Sequence, residues 1–131
     1  MADHEQTDQD ETDQQHLSSR SILIVDDDRA LLDALEHALV QQGAHVVACE
    51  SFAEARSMLR SRPFDAMLTD VRLGEFNGLQ LALLAKDAHP TIRIVVFSGY
   101  NDPVLRAEAE RLGAVYLVKP VPSSDLVEVL G

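Results

Sequence analysis

A chain of 131 residues, 46% of them hydrophobic, can fill the core of one domain of common size. Its formal charge of −11, from 22 acids against 11 bases, leaves no basic face for nucleic acid, so direct DNA binding by this chain is not expected. No apolar run nears the length that spans a bilayer, and the one cysteine, Cys49, excludes an intrachain disulfide or a cysteine metal site.

Residues 1–19 hold six acids and no Lys or Arg, so −6 of the charge lies there and −5 in residues 20–131. Leu17 is the only large apolar side chain after Met1, so the segment buries too little surface to offset its ordering entropy. A disordered acidic tail over 1–19 and a single domain over 20–131 are expected. The N-terminus also lacks the basic and apolar stretches of a signal peptide, which predicts a cytoplasmic protein.

From Arg20 onward strands and helices alternate. Ile22, Leu23, Ile24 and Val25 predict a first strand. Leu31, Leu35, Ala38 and Leu39, with Leu32 beside them, have helical spacing over 29–42, and Gly43 supplies a stop. Residues 45–49 predict a second strand, with Cys49 as a buried, inert thiol. Ser51-Phe52-Ala53-Glu54 has the form of a capping box and opens a helix that turns Phe52, Ala55 and Leu59 inward before Pro63. Residues 64–69 predict the third strand. Gly74 and Asn77-Gly78 predict a loop, and 79–88 a helix ended by Pro90. Residues 92–97 predict the fourth and most apolar strand. Asp102-Pro103 reads as an N-cap followed by proline, opening a helix whose Leu105, Ala109 and Leu112 face the core, closed by Gly113. Residues 115–118 predict the fifth strand and 123–130 a short last helix. Continuous apolar strands alternating with helices predict an α/β fold, a five-stranded parallel sheet covered on both faces.

Three polar pieces then fall just past carboxyl ends of strands. Asp26-Asp27-Asp28 follows the first strand, Asp70 the third and Lys119-Pro120 the fifth. Ligands bind along that edge of open α/β sheets. Two unit charges ~4 Å apart interact by ~4 kcal/mol at an effective dielectric of about 20, so clustered carboxylates there call for a cation. Mg²⁺ is hard, prefers oxygen and bridges to phosphate, which predicts a divalent-metal and phosphoryl site.

The ordered pieces ILIVDDD, MLTD at Asp70, VVFSG at Ser98 and YLVKP at Lys119 resemble the receiver domain of two-component response regulators. The resemblance covers about residues 20–130. It implies flavodoxin-like strand order 2-1-3-4-5, with Asp70 as phosphoacceptor and Mg²⁺ as cofactor. It further implies that Asp27 and Asp70 ligate the ion directly, Asp26 largely through water, and the Arg72 backbone carbonyl as a further ligand. Lys119, the Ser98 hydroxyl and the Gly99 amide would bind the phosphoryl oxygens. Pro120 would follow a cis peptide that aims Lys119 inward. Ser98 and Tyr116 would form a switch in which phosphorylation draws Ser98 toward the phosphate and lets Tyr116 turn inward. The surface of the fourth helix, fifth strand and fifth helix would then change. Asp28 aligns outside the acidic pair and is assigned to the start of the first helix.

Two departures stand out. Gly74 occupies a position where the family commonly has Pro, which predicts a looser loop. Arg72 and Tyr100 are bulky at the two variable positions flanking the site. The five histidines show no metal-ligand spacing and receive no role. The implied partners are a sensor histidine kinase or phosphotransfer protein and an unnamed effector, with no membrane and with phosphorylation-dependent dimerisation left open. The protein is either a stand-alone receiver or one cut from a larger chain. Two other functions compete: a phosphorylation-independent interaction module, and an aspartyl-nucleophile phosphatase. Phosphatases of the haloacid dehalogenase type need an acid two residues after the nucleophile, where this chain has Arg72. No acid and no lysine of the receiver set is missing, which weighs against the interaction module.

Overall fold

The computed structural model describes residues 17–131. Five parallel strands make one sheet: β1 (Ser21–Val25), β2 (His45–Cys49), β3 (Ala66–Asp70), β4 (Arg93–Ser98) and β5 (Val115–Val118). Their order is 2-1-3-4-5. Helices α1 (Arg29–Gln41), α2 (Phe52–Ser61), α3 (Gly78–Ala88), α4 (Pro103–Arg111) and α5 (Ser123–Leu130) alternate with them. No helix among the described residues is long and apolar enough to cross a membrane.

The strands are apolar on both faces because both faces are covered. On β1, Leu23 and Val25 point into a layer with Phe52, Ala55, Leu59, Leu81, Ala85 and Ala109. Ile22 and Ile24 point the other way, onto Leu32, Leu35, Leu39, Leu126 and Leu130. This period-2 alternation divides α2, α3 and α4 from α1 and α5. The buried stripe of α1 is centred on Leu32, Leu35 and Leu39, with Leu31 at its rim, one residue round from the predicted face.

Helix starts follow local chemistry. Asp28 accepts from the Leu31 N–H at 3.3 Å and caps α1. Ser51 accepts from the Glu54 N–H at 3.2 Å, while the Glu54 carboxylate reaches back to the Glu50 N–H. Asp102 accepts from the N–H groups of Val104 and Leu105, just before Pro103. Each cap satisfies amides that the first helical turn leaves open.

Two expectations need correction. The segment around Gly74 is a tight hairpin, not a loose loop: Arg72 pairs with Asn77 and Leu73 with Phe76. Gly74 supplies the φ of +61° that the turn requires. The hairpin is fastened by the Phe76 ring, stacked on Phe52 at 4.5 Å. The second correction lies at the N-terminal boundary. Leu17 is fully buried against the α1 and α5 layer, and its N–H donates to the Gln42 carbonyl at 2.8 Å. Leu17 therefore belongs to the packed body, although the sequence placed it in the tail. The rest of that segment, 1–16, lies outside the described residues.

Candidate functional site

Strand register brings the acids together. Val25 pairs with Thr69 and Asp70 with Phe97, so Asp26 and Asp70 emerge side by side from adjacent strands. Ser98 pairs with Val118, which sets Lys119 at the same edge, and the Lys119 N–H donates to the Ser98 carbonyl at 2.7 Å. The Lys119–Pro120 peptide is cis. Asp26 is fully buried, Asp70 largely so, and Asp27 is exposed at the mouth.

Each of Asp26, Asp27 and Asp70 offers a carboxylate oxygen within 4.8 Å of the others. Opposite ligands of an octahedral Mg²⁺ lie ~4.2 Å apart, from a metal–oxygen distance of ~2.1 Å. Three hard oxygens converging to that degree fit such an ion with small adjustment. Lys119 Nζ lies 3.1 Å from Asp26 and 3.5 Å from Asp70, so the lysine bridges the two carboxylates. Its stem passes over Phe97, with Nζ 4.5 Å from the ring centroid. Three carboxylates and one ammonium sum to −2, the charge a divalent cation cancels.

Burial pushes the Asp70 carboxyl above its ordinary range. Lys119 pulls it down, Asp26 pushes it up again, and the Arg72 N–H, donating to it, lowers it; the net direction is upward. Gly78 packs beneath the same residue. Its N–H donates to the Val71 carbonyl at 2.6 Å, and a Cβ there would come within 2.0 Å of the Asp70 carbonyl oxygen. Only glycine allows α3 to start this close to the end of β3.

The Ser98 Oγ, 5% exposed, accepts from the Tyr100 N–H at 3.2 Å, which leaves its own proton to donate. A Cβ on Gly99 would meet nothing within 4 Å, so the space beside its amide is open. Arg72 and Tyr100 meet across the edge, guanidinium 5.5 Å from ring centroid. Tyr116 sits apart from the carboxylates and points inward, 4% exposed, its O–H donating to the Tyr100 carbonyl at 2.8 Å. The sequence pointed to a ring that turns inward on phosphorylation; here the ring is already inward. Cys49 stands outside the site, and burial raises its thiol to about 11, in keeping with an inert core residue.

Three features escaped the sequence reading. Asn77 is the N-cap of α3, and Gln80 completes a capping box; the Asn-x-x-Gln spacing was the available signal. Arg106 packs on Tyr116, and nothing in its local sequence announces that. The approach of Gly78 to Asp70 depends on tertiary closure of the hairpin.

Sheet order, helical layers and the acidic edge together define a flavodoxin-like α/β domain. The chain belongs to the response regulator receiver domain family, which matches residues 22–131, and is therefore a two-component signalling domain and not a conventional enzyme. It is 32% identical over 114 residues to the photosynthetic apparatus regulatory protein RegA of Cereibacter sphaeroides, covering 86% of this chain and 62% of RegA. The chain thus spans about three-fifths of that curated relative. Among solved structures, a response regulator receiver protein from Sinorhizobium medicae superposes with TM-score 0.79 at 32% identity, covering 87% of this chain and 93% of that one. A response regulator from Burkholderia pseudomallei, with a phosphorylated aspartic acid, calcium ion and citrate, superposes with TM-score 0.81 at 27% identity, covering 86% and 67%.

Proposed function

We propose that Asp70 is the phosphoacceptor of a Mg²⁺-dependent relay, taking its phosphoryl group from a phosphohistidine on a sensor kinase or phosphotransfer protein. The observation that carries this reading is the edge itself: Asp70 ends its strand beside Asp26 and Asp27, with Lys119 bridging it to Asp26. The phosphorylated aspartate and calcium ion of the Burkholderia pseudomallei relative support it.

An Asp70 carboxylate oxygen attacks phosphorus as the bond from phosphorus to the imidazole nitrogen breaks; with the other ring nitrogen of the donor already protonated, the electron pair of the breaking bond stays on the ring and the histidine leaves as neutral imidazole. Asp26, Asp27, Asp70 and the Arg72 carbonyl would hold the ion, which supplies neutralisation of phosphoryl charge when bound. Lys119 exchanges Asp70 for a phosphoryl oxygen. The Ser98 hydroxyl and Gly99 amide donate to another. Catalysis consists of positioning and charge neutralisation, with no separate base. An apolar cavity of about 280 Å³, lined in part by Leu31, Phe97, Lys119, Pro120 and Val121, adjoins the edge on the Lys119 side. Movement of Ser98 would pass through Tyr100 and Tyr116 to the surface of α4, β5 and α5. Cytoplasmic residence, where such donors act, is part of this reading.

Incubation with acetyl phosphate and Mg²⁺ should add one phosphoryl group per chain, seen as a mass increase. Asp70→Asn should abolish it. Undiminished labelling of that variant would overturn the assignment.

A further inference from the structure

Tyr116 is held by one segment from several sides. Its O–H bonds to the Tyr100 carbonyl, and it stays 4% exposed although it lies on the edge strand. The Arg106 guanidinium lies 4.9 Å from the ring centroid. It donates through Nη1 to the Tyr116 carbonyl at 3.3 Å and through Nη2 to Asn101 Oδ1 at 3.1 Å. Among the described residues Arg106 has no carboxylate partner, so its charge is directed at one ring and two oxygens.

A cation over an aromatic face is attracted to it, and the planar fork of arginine holds two acceptors at a fixed angle, which a lysine cannot do. The two acceptors here belong to different elements. One is on β5. The other is on the loop that leaves β4 after Ser98. Tyr100, next to Asn101 in that loop, donates its N–H to Ser98 and offers its carbonyl to Tyr116. The contacts therefore close a circuit: Ser98 to Tyr100, Tyr100 to Tyr116, Tyr116 to Arg106, and Arg106 back to Asn101.

We propose that Arg106 is a positioning residue: it locks Tyr116 inward and thereby fixes the 99–102 loop that follows Ser98, holding the Ser98 hydroxyl and the Gly99 amide at the edge beside Asp70. It touches no reacting atom and works only through Tyr116 and Asn101. This rests on the reading of Asp70 as phosphoacceptor.

Tyr100 and Tyr116 are the only tyrosines, so a Tyr100→Phe background leaves a single reporter. In it, Arg106→Ala should raise the rate of Tyr116 nitration by tetranitromethane at least fivefold. In the parent chain, Arg106→Ala should slow phosphorylation by acetyl phosphate and Mg²⁺ at least threefold. In a Tyr116→Leu background, where the ring and its hydroxyl are gone while the residue 116 carbonyl and Asn101 still accept from Arg106, the same substitution should slow that rate clearly less than in the parent chain. Unchanged nitration would overturn the clamp. Equal slowing in the Tyr116→Leu background would overturn the route through Tyr116 and leave a general structural effect. If Arg106→Ala fails to fold, Asn101→Ala removes only the outer prong, and it must raise nitration at least twofold for the proposal to stand. A parent chain that takes no phosphoryl group at all would defeat the assignment of Asp70, while the nitration measurement would still decide the clamp.

Discussion

At the scale of single residues, Asp70 carries a conflict between stability and chemistry. Burial raises its carboxyl above the ordinary 3.8. A native state that holds a proton more tightly than the unfolded chain loses stability as pH climbs from the unfolded value through the raised one. The ionised form is therefore the strained form, and that strain is present at neutral pH. Asp70→Asn is expected to melt at a higher temperature than the parent at pH 7, with the gap closing as pH falls toward 3.8. Thermal unfolding across that range checks it, and a lower melting point for the variant at pH 7 would mean that the lost partner of Lys119 outweighs the relief. Asp27 differs in being exposed, so its loss should spare the fold. Asp27→Ala is expected to weaken Mg²⁺ binding tenfold or more, about 1.4 kcal/mol, in a calorimetric titration. A larger loss from Asp28→Ala would contradict the placement of Asp28 as a helix cap.

Elements carry the next set of effects. The Arg72 hairpin and the Tyr100 loop approach each other across the mouth, and hydrolysis of a phosphorylated Asp70 needs a water in line with the bond to phosphorus. A tenfold change in lifetime needs only ~1.4 kcal/mol of barrier, within reach of two bulky side chains. Arg72→Asn with Tyr100→Ser is expected to speed loss of phosphate several-fold, followed as decay after acetyl phosphate is removed. Equal or slower decay would place the control of lifetime elsewhere. Below the hairpin, Gly78→Ala would drive a methyl group into the Asp70 carbonyl. The backbone must shift, at a cost of ~3 kcal/mol by analogy with overpacked cores, measurable as a fall in the denaturant midpoint. The acids and the lysine were legible in the sequence because each follows an apolar strand, and strand ends share an edge. The hairpin was not, because Gly74 registers in sequence as a missing proline, whereas its turn depends on Phe76 finding Phe52. Inward Tyr116 was equally hidden, since Arg106 reaches it from another element.

On the scale of the whole molecule, the order of strands and the layering of helices followed from patterning together with resemblance, while the N-terminal boundary did not. Composition marks residues 1–19 as polar, and one leucine among them carries no periodic signal. Burial of Leu17 is a tertiary event, met by the gap between α1 and α5. Nearby, Arg20 donates to the Gly131 carbonyl at 2.6 Å, which joins the two ends of the described chain, and Arg93 of β4 donates to the Val129 carbonyl at 3.3 Å. Leu17→Ala is expected to destabilise the fold by about 2–4 kcal/mol, as other buried leucine truncations do. Removal of residues 1–16 alone should leave the unfolding midpoint and the phosphorylation rate nearly unchanged. A large loss from that deletion would show that the acidic segment contributes contacts of its own.

The sheet order also has a kinetic consequence. Strands β1, β2 and β3 can pair before β4 and β5 have joined, and a sheet assembled that far already gathers Asp26, Asp27 and Asp70. Lys119 arrives only with β5, the outermost strand beyond β4. Any arrangement with β1 and β3 paired and β5 detached would therefore hold three mutually repelling carboxylates and no ammonium. Parallel pairing is slow already, because each strand must wait for its crossover. Docking of β5 thus supplies the counter-charge for Asp26 and Asp70, and a chain whose β5 is detached lacks the ammonium of the finished site.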